Sequence, residues 1–341
     1  MDISLDKSSY GSGLNSVSVD AVPLPSLELL EEAASLVHRY MPPTPQYRWP
    51  LVDRRVGARV WVKHENHTPT GAFKVRGGLV YLHELCRNGD KPEGVVSATT
   101  GNHGQSIGFA ARAHGVRAAV VVPRGNSVEK NAAMRALGVE VIEQGRDFQE
   151  AHETADAICA ERGWHRFPSF HHLLVRGVGT YALELFRAVG DIHTVYVPVG
   201  MGSGLCGMIS ARDAFGIVTR IVAVVSDRAP AFALSFEQQR LVSHESTTRI
   251  ADGMACRTVD ESALAIARRG VERVVQVSDD EVEAAMRATF TDTHNTAEGA
   301  GAAALAALLK ERERMHGRTV AVVLSGGNVD TSVFSRILAA G

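Results

Sequence analysis

Residues 194–207 have the sequence TVYVPVGMGSGLCG, and this stretch decides the fold. Its first part, Thr194–Val199, is apolar and mostly β-branched or aromatic, which is typical of a fully buried strand. Four glycines follow between residues 200 and 207, and the residues after them predict a helix. A buried strand that passes through a glycine-marked turn into a helix is the repeating unit of an α/β protein with a parallel sheet.

The same alternation extends along the chain in both directions. Helical periodicity runs over Leu27–Tyr40, where a pair of prolines would end it. A helix is predicted from about Phe73 to Arg87, and the apolar stretches Gly94–Ala98 and Thr319–Leu324 predict strands. We therefore expect an α/β fold with two lobes, each a mostly parallel twisted sheet flanked by helices.

A loop between residues 163 and 179 separates two runs of strand–helix units. It suggests a large domain formed by residues 1–95 plus 174–341 and a small domain formed by residues 96–173. Residues 1–24 are rich in serine, glycine and aspartate, and we expect them to form a loose arm.

The composition excludes several classes of protein. The chain has 341 residues, of which 45% are hydrophobic and 22% charged, as in globular rather than disordered or fibrous proteins. Its 36 Lys and Arg against 38 Asp and Glu give a net charge of −2, so no basic excess drives nucleic-acid binding. The four cysteines form no close pair, which predicts reduced thiols without a zinc site. The chain shows no secretion signal and no apolar run of membrane-spanning length, which predicts a cytoplasmic protein.

The glycine loop after Val199 admits two interpretations. Glycines at a helix start let backbone N–H groups approach a phosphate closely. However, Gly202, Gly204 and Gly207 also satisfy the pattern G-x-G-x-x-G, and Asp227 follows 20 residues later, after the next predicted strand. That spacing is typical of dinucleotide-binding proteins, so a nicotinamide-dependent oxidoreductase is an alternative.

A lysine lies just inside the predicted helix that begins near Phe73. Lys74 is flanked by Phe73 and Val75, so its ammonium is expected to be partly desolvated. Burial and the positive end of a helix both lower the pKa of an ammonium group. Lys74 is therefore a candidate nucleophilic amine that can form a Schiff base.

Two further loops follow predicted strands. Thr99–Gln105 contains two hydroxyls, a glycine and an asparagine at a helix start, a pattern that suits a carboxylate ligand. Leu324–Asp330 begins with Ser325, whose hydroxyl could bond a neutral ring nitrogen. Plain helix capping and an ordinary turn are the respective structural alternatives.

Together these four loops resemble the fold-type II pyridoxal-phosphate enzymes, specifically the threonine/serine dehydratase and serine racemase group. The resemblance covers roughly residues 42–330 and rests on Thr-Gly-x-Phe-Lys-x-Arg-Gly, Gly-Asn-His-Gly-Gln, a glycine loop and Ser-Gly-Gly-Asn in one order. It implies a tryptophan-synthase-β-like fold, pyridoxal 5'-phosphate as cofactor in the large domain, and a homodimer.

The resemblance also implies roles for individual residues. Lys74 would form the Schiff base and act as the base at Cα, with Phe73 beside the cofactor, and Asn102 would hold the cofactor's 3' oxygen. Glu298 matches a glutamate near the cofactor, and Ser325 would face the pyridine nitrogen. The residues that would bind the phosphate through their N–H groups are Gly200, Met201, Gly202, Ser203 and Gly204. The residues that would receive the substrate are Thr99, Thr100, Gly101, Asn102, His103 and Ser169.

Several positions depart from the family pattern. Ala72 replaces a serine, which removes one hydroxyl near the phosphate. Thr100 keeps a hydroxyl where racemases of the group have serine, so it is a candidate second acid/base. The segment 169–172, Ser-Phe-His-His, replaces an acidic segment near the substrate side chain; its histidines either contact a β-substituent or cap a loop. Val225 replaces a metal-binding glutamate, so no metal is expected in that place.

The predicted function is that of a dehydratase or ammonia-lyase. Its substrate would be a β-hydroxy-α-amino acid of the serine/threonine, hydroxyaspartate or phenylserine type, converted to a 2-oxo acid and ammonia. An amino-acid racemase of the same family, the oxidoreductase above and a non-catalytic ligand-binding relative are the alternatives. Because few residues follow Asp330, we expect no regulatory domain and a catabolic role.

Overall fold

The computed structural model describes residues 23–87, 89, 91–146 and 148–340. Most of the arm expected over residues 1–24 therefore lies outside the described residues. The strands are β1 (Gln46–Arg48), β2 (Arg59–His64), β3 (Gly94–Ala98), β4 (Arg117–Val122), β5 (Glu140–Glu143), β6 (His165–Arg166), β7 (Thr194–Pro198), β8 (Arg220–Ser226), β9 (Arg273–Val277) and β10 (Thr319–Leu324). The helices are α1 (Leu27–Val37), α2 (Pro50–Val56), α3 (Lys74–Arg87), α4 (Asn102–His114), α5 (Val128–Ala136), α6 (Phe148–Arg162), α7 (His172–Ala188), α8 (Ser203–Ala214), α9 (Ala231–Gln238), α10 (Glu261–Gly270), α11 (Asp279–Thr293), α12 (Gly299–Lys310), α13 (Arg312–Met315) and α14 (Thr331–Ala339).

The strands form two sheets. The larger has six strands in the order β1-β2-β10-β7-β8-β9, and the smaller has four in the order β5-β4-β3-β6. Every pair of neighbouring strands is parallel except β1 and β2. Two mostly parallel sheets flanked by helices confirm the predicted fold class. The limits of the two domains remain a prediction.

Apolar residues on alternate positions of the strands fill both faces of each sheet. On β10, Val320 and Val322 belong to the core on one face, whereas Ala321 and Val323 belong to the core on the other. A strand covered by helices on both sides has no solvent face, which explains its continuous apolar sequence. The smaller sheet shows the same alternation, because Val95 and Val96 pack into different cores.

A buried charge network fixes the start of α3. The Arg76 guanidinium is fully buried and binds the carboxylates of Glu65 and Glu184 with N–O distances of 2.7 and 2.6 Å. The Lys63 ammonium lies 2.6 Å from the same Glu184. Buried charges of this kind need complete pairing, and here two cations meet two carboxylates. Because Arg76 follows Lys74 by two residues, the network also holds Lys74 in place.

Candidate active site

Lys74 is the first residue of α3 and its side chain is partly buried. The backbone on both sides is held, because the Phe73 N–H donates to the Ser325 carbonyl (3.1 Å) and the Ser106 hydroxyl donates to the Lys74 carbonyl (2.7 Å). Within the described residues, no side chain forms an ion pair or hydrogen bond with the Lys74 ammonium. Burial lowers the pKa of this ammonium, against weaker opposing effects of Cys256 and Glu298. The neutral, nucleophilic amine is therefore favoured.

The loop that precedes α4 forms the second part of the site. No side chain caps the N-terminus of α4, whose flanking residue is Gly101, so its first N–H groups remain available to a ligand. The Gly101 N–H approaches the Thr99 hydroxyl at 3.5 Å, and no described residue bonds the Thr100 hydroxyl. The free N-terminus of this 13-residue helix suits the predicted carboxylate.

Asn102 and His103 begin α4, and both side chains are oriented by hydrogen bonds. The Asn102 amide donates to Glu298 Oε1 (2.6 Å) and accepts from the Asn328 amide (2.8 Å). His103 Nε2 lies 3.0 Å from the Pro168 carbonyl, and burial lowers the pKa of this imidazole to about 3. His103 is therefore neutral and donates from Nε2.

The glycine loop joins β7 to α8. Gly202 has φ of 100°, in the left-handed region that favours glycine, and it gives α8 no side-chain cap. A Cβ atom on Gly200 would lie 2.4 Å from the Gly253 carbonyl oxygen, so only glycine fits there. The Tyr181 hydroxyl donates to the Gly204 carbonyl (2.8 Å). An uncapped helix start behind a glycine turn is a suitable cradle for a phosphate, which fits pyridoxal phosphate.

Ser325 is buried directly after β10. Its hydroxyl lies 3.3 Å from the Ala300 carbonyl oxygen, to which it can donate. The backbone bond between Ser325 and Phe73 places this hydroxyl close to the start of α3. Its role toward a ring nitrogen remains a prediction.

Glu298 precedes α12 but does not cap it. Its side chain is 3% exposed and turns to Asn102 through Oε1, whereas Oε2 is buried without a hydrogen-bond partner among the described residues. Burial raises the pKa of Glu298 to about 7. The Glu298 side chain therefore bonds Asn102 rather than the N–H groups at the start of α12.

The remaining residues singled out from the sequence are Ser169, the histidines that follow it, and Asp227. Phe170, next to Ser169, approaches the glycine loop: its ring carbon would lie 3.9 Å from a Cβ atom on Gly202. The His171 ring caps α7 by accepting from the Leu173 N–H, so capping is confirmed for this histidine. Asp227, in contrast, is exposed after β8.

Sequence reasoning missed Lys130, Asp252 and Asn328. The Lys130 ammonium lies 2.5 Å from Asp252 and 3.7 Å from Glu298, and Lys130 is only 8% exposed. The available signal was the position of Lys130 four residues before the apolar Met134, which places both on one face of a helix, here the buried face of α5. No comparable pattern marks Asp252.

A group of three or more His, Cys, Asp or Glu side chains that could hold a metal ion is not found among the described residues. Likewise, none of the described helices has the length and apolar character needed to cross a membrane.

The fold and the site define a class of protein. The family model described as "Pyridoxal-phosphate dependent enzyme" matches residues 37–326, and the chain belongs to this family. It is 30% identical to the L-threonine ammonia-lyase of Thermotoga maritima over 316 residues, which are 92% of this chain and 78% of the relative.

Solved structures agree with this assignment. A threonine deaminase from T.th. superposes with a TM-score of 0.84 at 34% identity, covering 90% of this chain and 99% of that one. Maize serine racemase gives a TM-score of 0.86 at 26% identity, with 93% and 98% covered. The predicted family and cofactor are confirmed, and they favour a phosphate cradle over a dinucleotide site at Gly202–Gly207.

Proposed function

We propose that this protein is a pyridoxal-phosphate-dependent ammonia-lyase that acts on a β-hydroxy-α-amino acid. The reaction removes the β-hydroxyl and the α-amino group and yields a 2-oxo acid and ammonia. The observation that carries the proposal is the partly buried Lys74 amine, which lacks a counter-ion among the described residues. Its backbone is bonded to Ser106 of α4, and the ring of the neighbouring Phe73 would lie 3.5 Å from a Cβ atom on Gly204 at the uncapped start of α8. The names of relatives, L-threonine ammonia-lyase and threonine deaminase, support the same reaction.

When bound, pyridoxal phosphate supplies an aldehyde and an electron-withdrawing ring that makes the Cα–H bond acidic. The chain's residues position the reactants. The N–H groups of Gly200, Met201, Gly202, Ser203 and Gly204 would hold the phosphate. Lys74 would anchor the cofactor, then remove the Cα proton as its neutral amine. The start of α4 would bind the substrate carboxylate through Thr99, Thr100, Gly101, Asn102 and His103.

Ser325 and Asn102 would orient the ring from two sides. Ser325 carries a neutral hydroxyl at the end of β10, so it brings no charge to hold a proton on the ring nitrogen. Asn102 still has one N–H free, because its amide nitrogen uses only one in the bond to Glu298. That N–H would donate to the 3' oxygen of the ring.

The substrate side chain would meet the segment that contains Ser169 and Phe170. Both residues are partly buried, and the Pro168 carbonyl that precedes them bonds His103 of the carboxylate loop. With His171 committed to capping α7, no cation from that residue is available for an acidic side chain. The stereoisomer screen described below distinguishes a neutral substrate side chain, as in threonine, serine or phenylserine, from the acidic one of hydroxyaspartate.

A racemase is the second candidate function. The Thr100 hydroxyl forms no hydrogen bond to a described residue and therefore remains available as a second acid/base. The similarity to maize serine racemase supports this alternative. Racemase activity can be detected by incubating the enzyme with a single amino-acid stereoisomer in deuterium oxide. The opposite enantiomer should then form and carry deuterium from the solvent. A Thr100→Ala variant should lose that exchange and keep 2-oxo acid release.

Borohydride reduction of the holoenzyme followed by peptide mapping tests the main proposal. The expected result is a pyridoxyl group on Lys74, absent from Lys74→Ala and retained in Lys310→Ala, which changes an exposed lysine. A screen of serine, threonine, hydroxyaspartate and phenylserine stereoisomers should then show 2-oxo acid and ammonia in equal amounts. A modified lysine other than Lys74, or no keto acid from any of these compounds, would overturn the proposal.

We further propose a homodimer in the cytoplasm, as the family resemblance and the composition suggest. Light scattering of the purified holoenzyme tests the assembly. Fractionation of the source cells tests the location.

A further inference from the structure

A chain of polar contacts links Lys130 to the candidate active site. The Lys130 ammonium lies 2.5 Å from Asp252 Oδ2 and 3.7 Å from Glu298 Oε2. Glu298 Oε1 accepts from the Asn102 amide at 2.6 Å, and Asn102 in turn accepts from Asn328 at 2.8 Å. One buried cation therefore lies two contacts away from Asn102, the asparagine proposed to bind the 3' oxygen of the cofactor.

These polar contacts connect residues beside the smaller sheet to residues beside the larger sheet. Lys130 belongs to α5, which packs on α4 and β5 beside the smaller sheet. Asp252 lies in a short 3-10 helix (Asp252–Met254) that contacts α12, and α12 packs on β10 and β7 of the larger sheet. The Lys130 stem also packs tightly against the loop before α4, because a Cβ atom on Gly101 would lie 2.6 Å from Lys130 Cδ.

Glu298 shows why the position of Lys130 matters. Its Oε2 atom is buried and lacks a hydrogen-bond partner among the described residues, and the Lys130 ammonium lies 3.7 Å from it. A buried carboxylate without a nearby cation would lose its charge. Lys130 therefore opposes the effect of burial on Glu298.

The other charged and polar groups that face Glu298 are known. Lys130 and Lys74 favour its carboxylate, the Asn102 amide does so through a hydrogen bond, and Asp252 disfavours it. Lys130 itself faces Asp252, Glu298 and Asp330, all of which favour its ammonium. The two members of the Lys130–Asp252 pair thus act on Glu298 with opposite signs.

We propose that Lys130 is a positioning residue of this active site: held by Asp252, it favours the charged form of the Glu298 carboxylate and thereby fixes the orientation of Asn102. This inference rests on the proposed function, since Asn102 is taken as the ligand of the ring. Lys130 itself contacts neither substrate nor ring in this arrangement.

Lys130 favours the charged form of Glu298 and Asp252 disfavours it, so variants of these two residues should have opposite effects. Lys130→Met keeps the methylene stem against Gly101 but removes the charge, whereas Asp252→Asn breaks the same ion pair from the other side. The limb of the pH–kcat profile that belongs to Glu298 is the one abolished by Glu298→Gln. We expect Lys130→Met to move this limb upward by about 1–3 pH units. Asp252→Asn should move it downward, and Lys130→Arg should restore it.

A second measurement does not depend on activity. The proton that folded Glu298 retains up to about pH 7 stabilises the full chain in acid, and this stabilisation is lost as the pH rises through that value. The fall in unfolding temperature attributable to Glu298 should therefore occur at higher pH in Lys130→Met and at lower pH in Asp252→Asn. It should be absent in Glu298→Gln.

If Lys130 only joins the two sheets, both variants will weaken the protein without opposite pH shifts, and the proposal is overturned. Shifts in the same direction also contradict it. Failure of the proposed function is recognised separately, because wild-type protein would then lack a pyridoxyl group on Lys74 while the unfolding measurements can still be made.

Discussion

Ala72 and Gly326 pair as an isolated antiparallel bridge. The residue two positions before Lys74 therefore lies against the residue that follows Ser325. This bridge joins the start of α3 to the end of β10. The Glu298 side chain contacts the bridge, because a Cβ atom on Gly326 would be 2.4 Å from Glu298 Oε1.

Gly326→Ala should displace Glu298 from Asn102. Above pH 7, where Glu298 is charged, the bond between them is charge-assisted, and such bonds contribute about 1.5–3 kcal/mol. We expect kcat/KM for the best β-hydroxy amino acid to fall by about 10- to 150-fold. Steady-state assays of 2-oxo acid formation measure this effect. Gly190→Ala is the control, because a Cβ atom there meets nothing within 4 Å; equal losses in the two variants would contradict the explanation.

Gly202→Ala should weaken cofactor binding. Gly202 has φ of 100°, and its Cβ atom would lie 2.8 Å from that of Ala263. Gly216 also has positive φ, at 64°, but faces open space. Placing alanine in the left-handed region costs about 1–2 kcal/mol, so both variants should lose stability in urea titrations. Only Gly202→Ala should require more pyridoxal phosphate for half-saturation in spectroscopic titrations.

Arg76→Met should be strongly destabilising. It leaves the carboxylates of Glu65 and Glu184 without their main buried cation. Removing one partner from a buried ion pair costs about 3–5 kcal/mol of the free energy of unfolding. Arg135→Met breaks an exposed pair with Glu143 and should cost less than about 1 kcal/mol. Urea denaturation of both variants provides the comparison, and similar losses would refute a special role for the buried network.

His103 should remain neutral through the pH range in which the protein is folded. Burial lowers its pKa to about 3, below the ordinary value of 6.5. The neutral ring contributes stability that is fully present above pH 6.5 and is lost as the pH falls toward 3. We expect the His103 ring resonances in NMR spectra not to titrate between about pH 5 and 8.

His103→Gln tests the same point by stability. Glutamine can still donate to the Pro168 carbonyl but takes up no proton. The variant should therefore lose less unfolding temperature than wild type when the pH falls from about 6.5. A resonance of His103 that titrates near the ordinary pKa of about 6.5 would contradict this expectation.

Much of the fold could be predicted because its strands are buried on both faces. The predicted strand Gly94–Ala98 has those limits in the structure, and the helix predicted from about Phe73 begins at Lys74. The helix predicted over Leu27–Tyr40 ends earlier, at Val37, because the chain turns at His38 before the prolines. Several short elements were missed, among them β1 and α14: β1 is a three-residue edge strand, and α14 buries little of its surface.

The site could be predicted only in part. Glycine loops and Lys74 carry local patterns, and the family they indicate is confirmed. The link from Lys130 to Glu298 has no local pattern, since residues so far apart in the chain meet only when the two sheets come together. Asp252 could not be predicted for the same reason, because it meets Lys130 only through the tertiary fold. The roles of individual site residues, including Ser169 and Thr100, stay predictions.

The position of β10 has a consequence for how the enzyme is made. This strand pairs with β2 on one side and β7 on the other, yet it follows every other described strand in chain order. A nascent chain that has emerged only as far as β9 lacks β10, the strand that joins β2 to β7. The facing edges of β2 and β7 are then unpaired and can bind chaperones or aggregate. Stable binding of the cofactor, which would use the loop after β10, is therefore expected only after this strand has paired, and ribosome-bound intermediates should carry no cofactor.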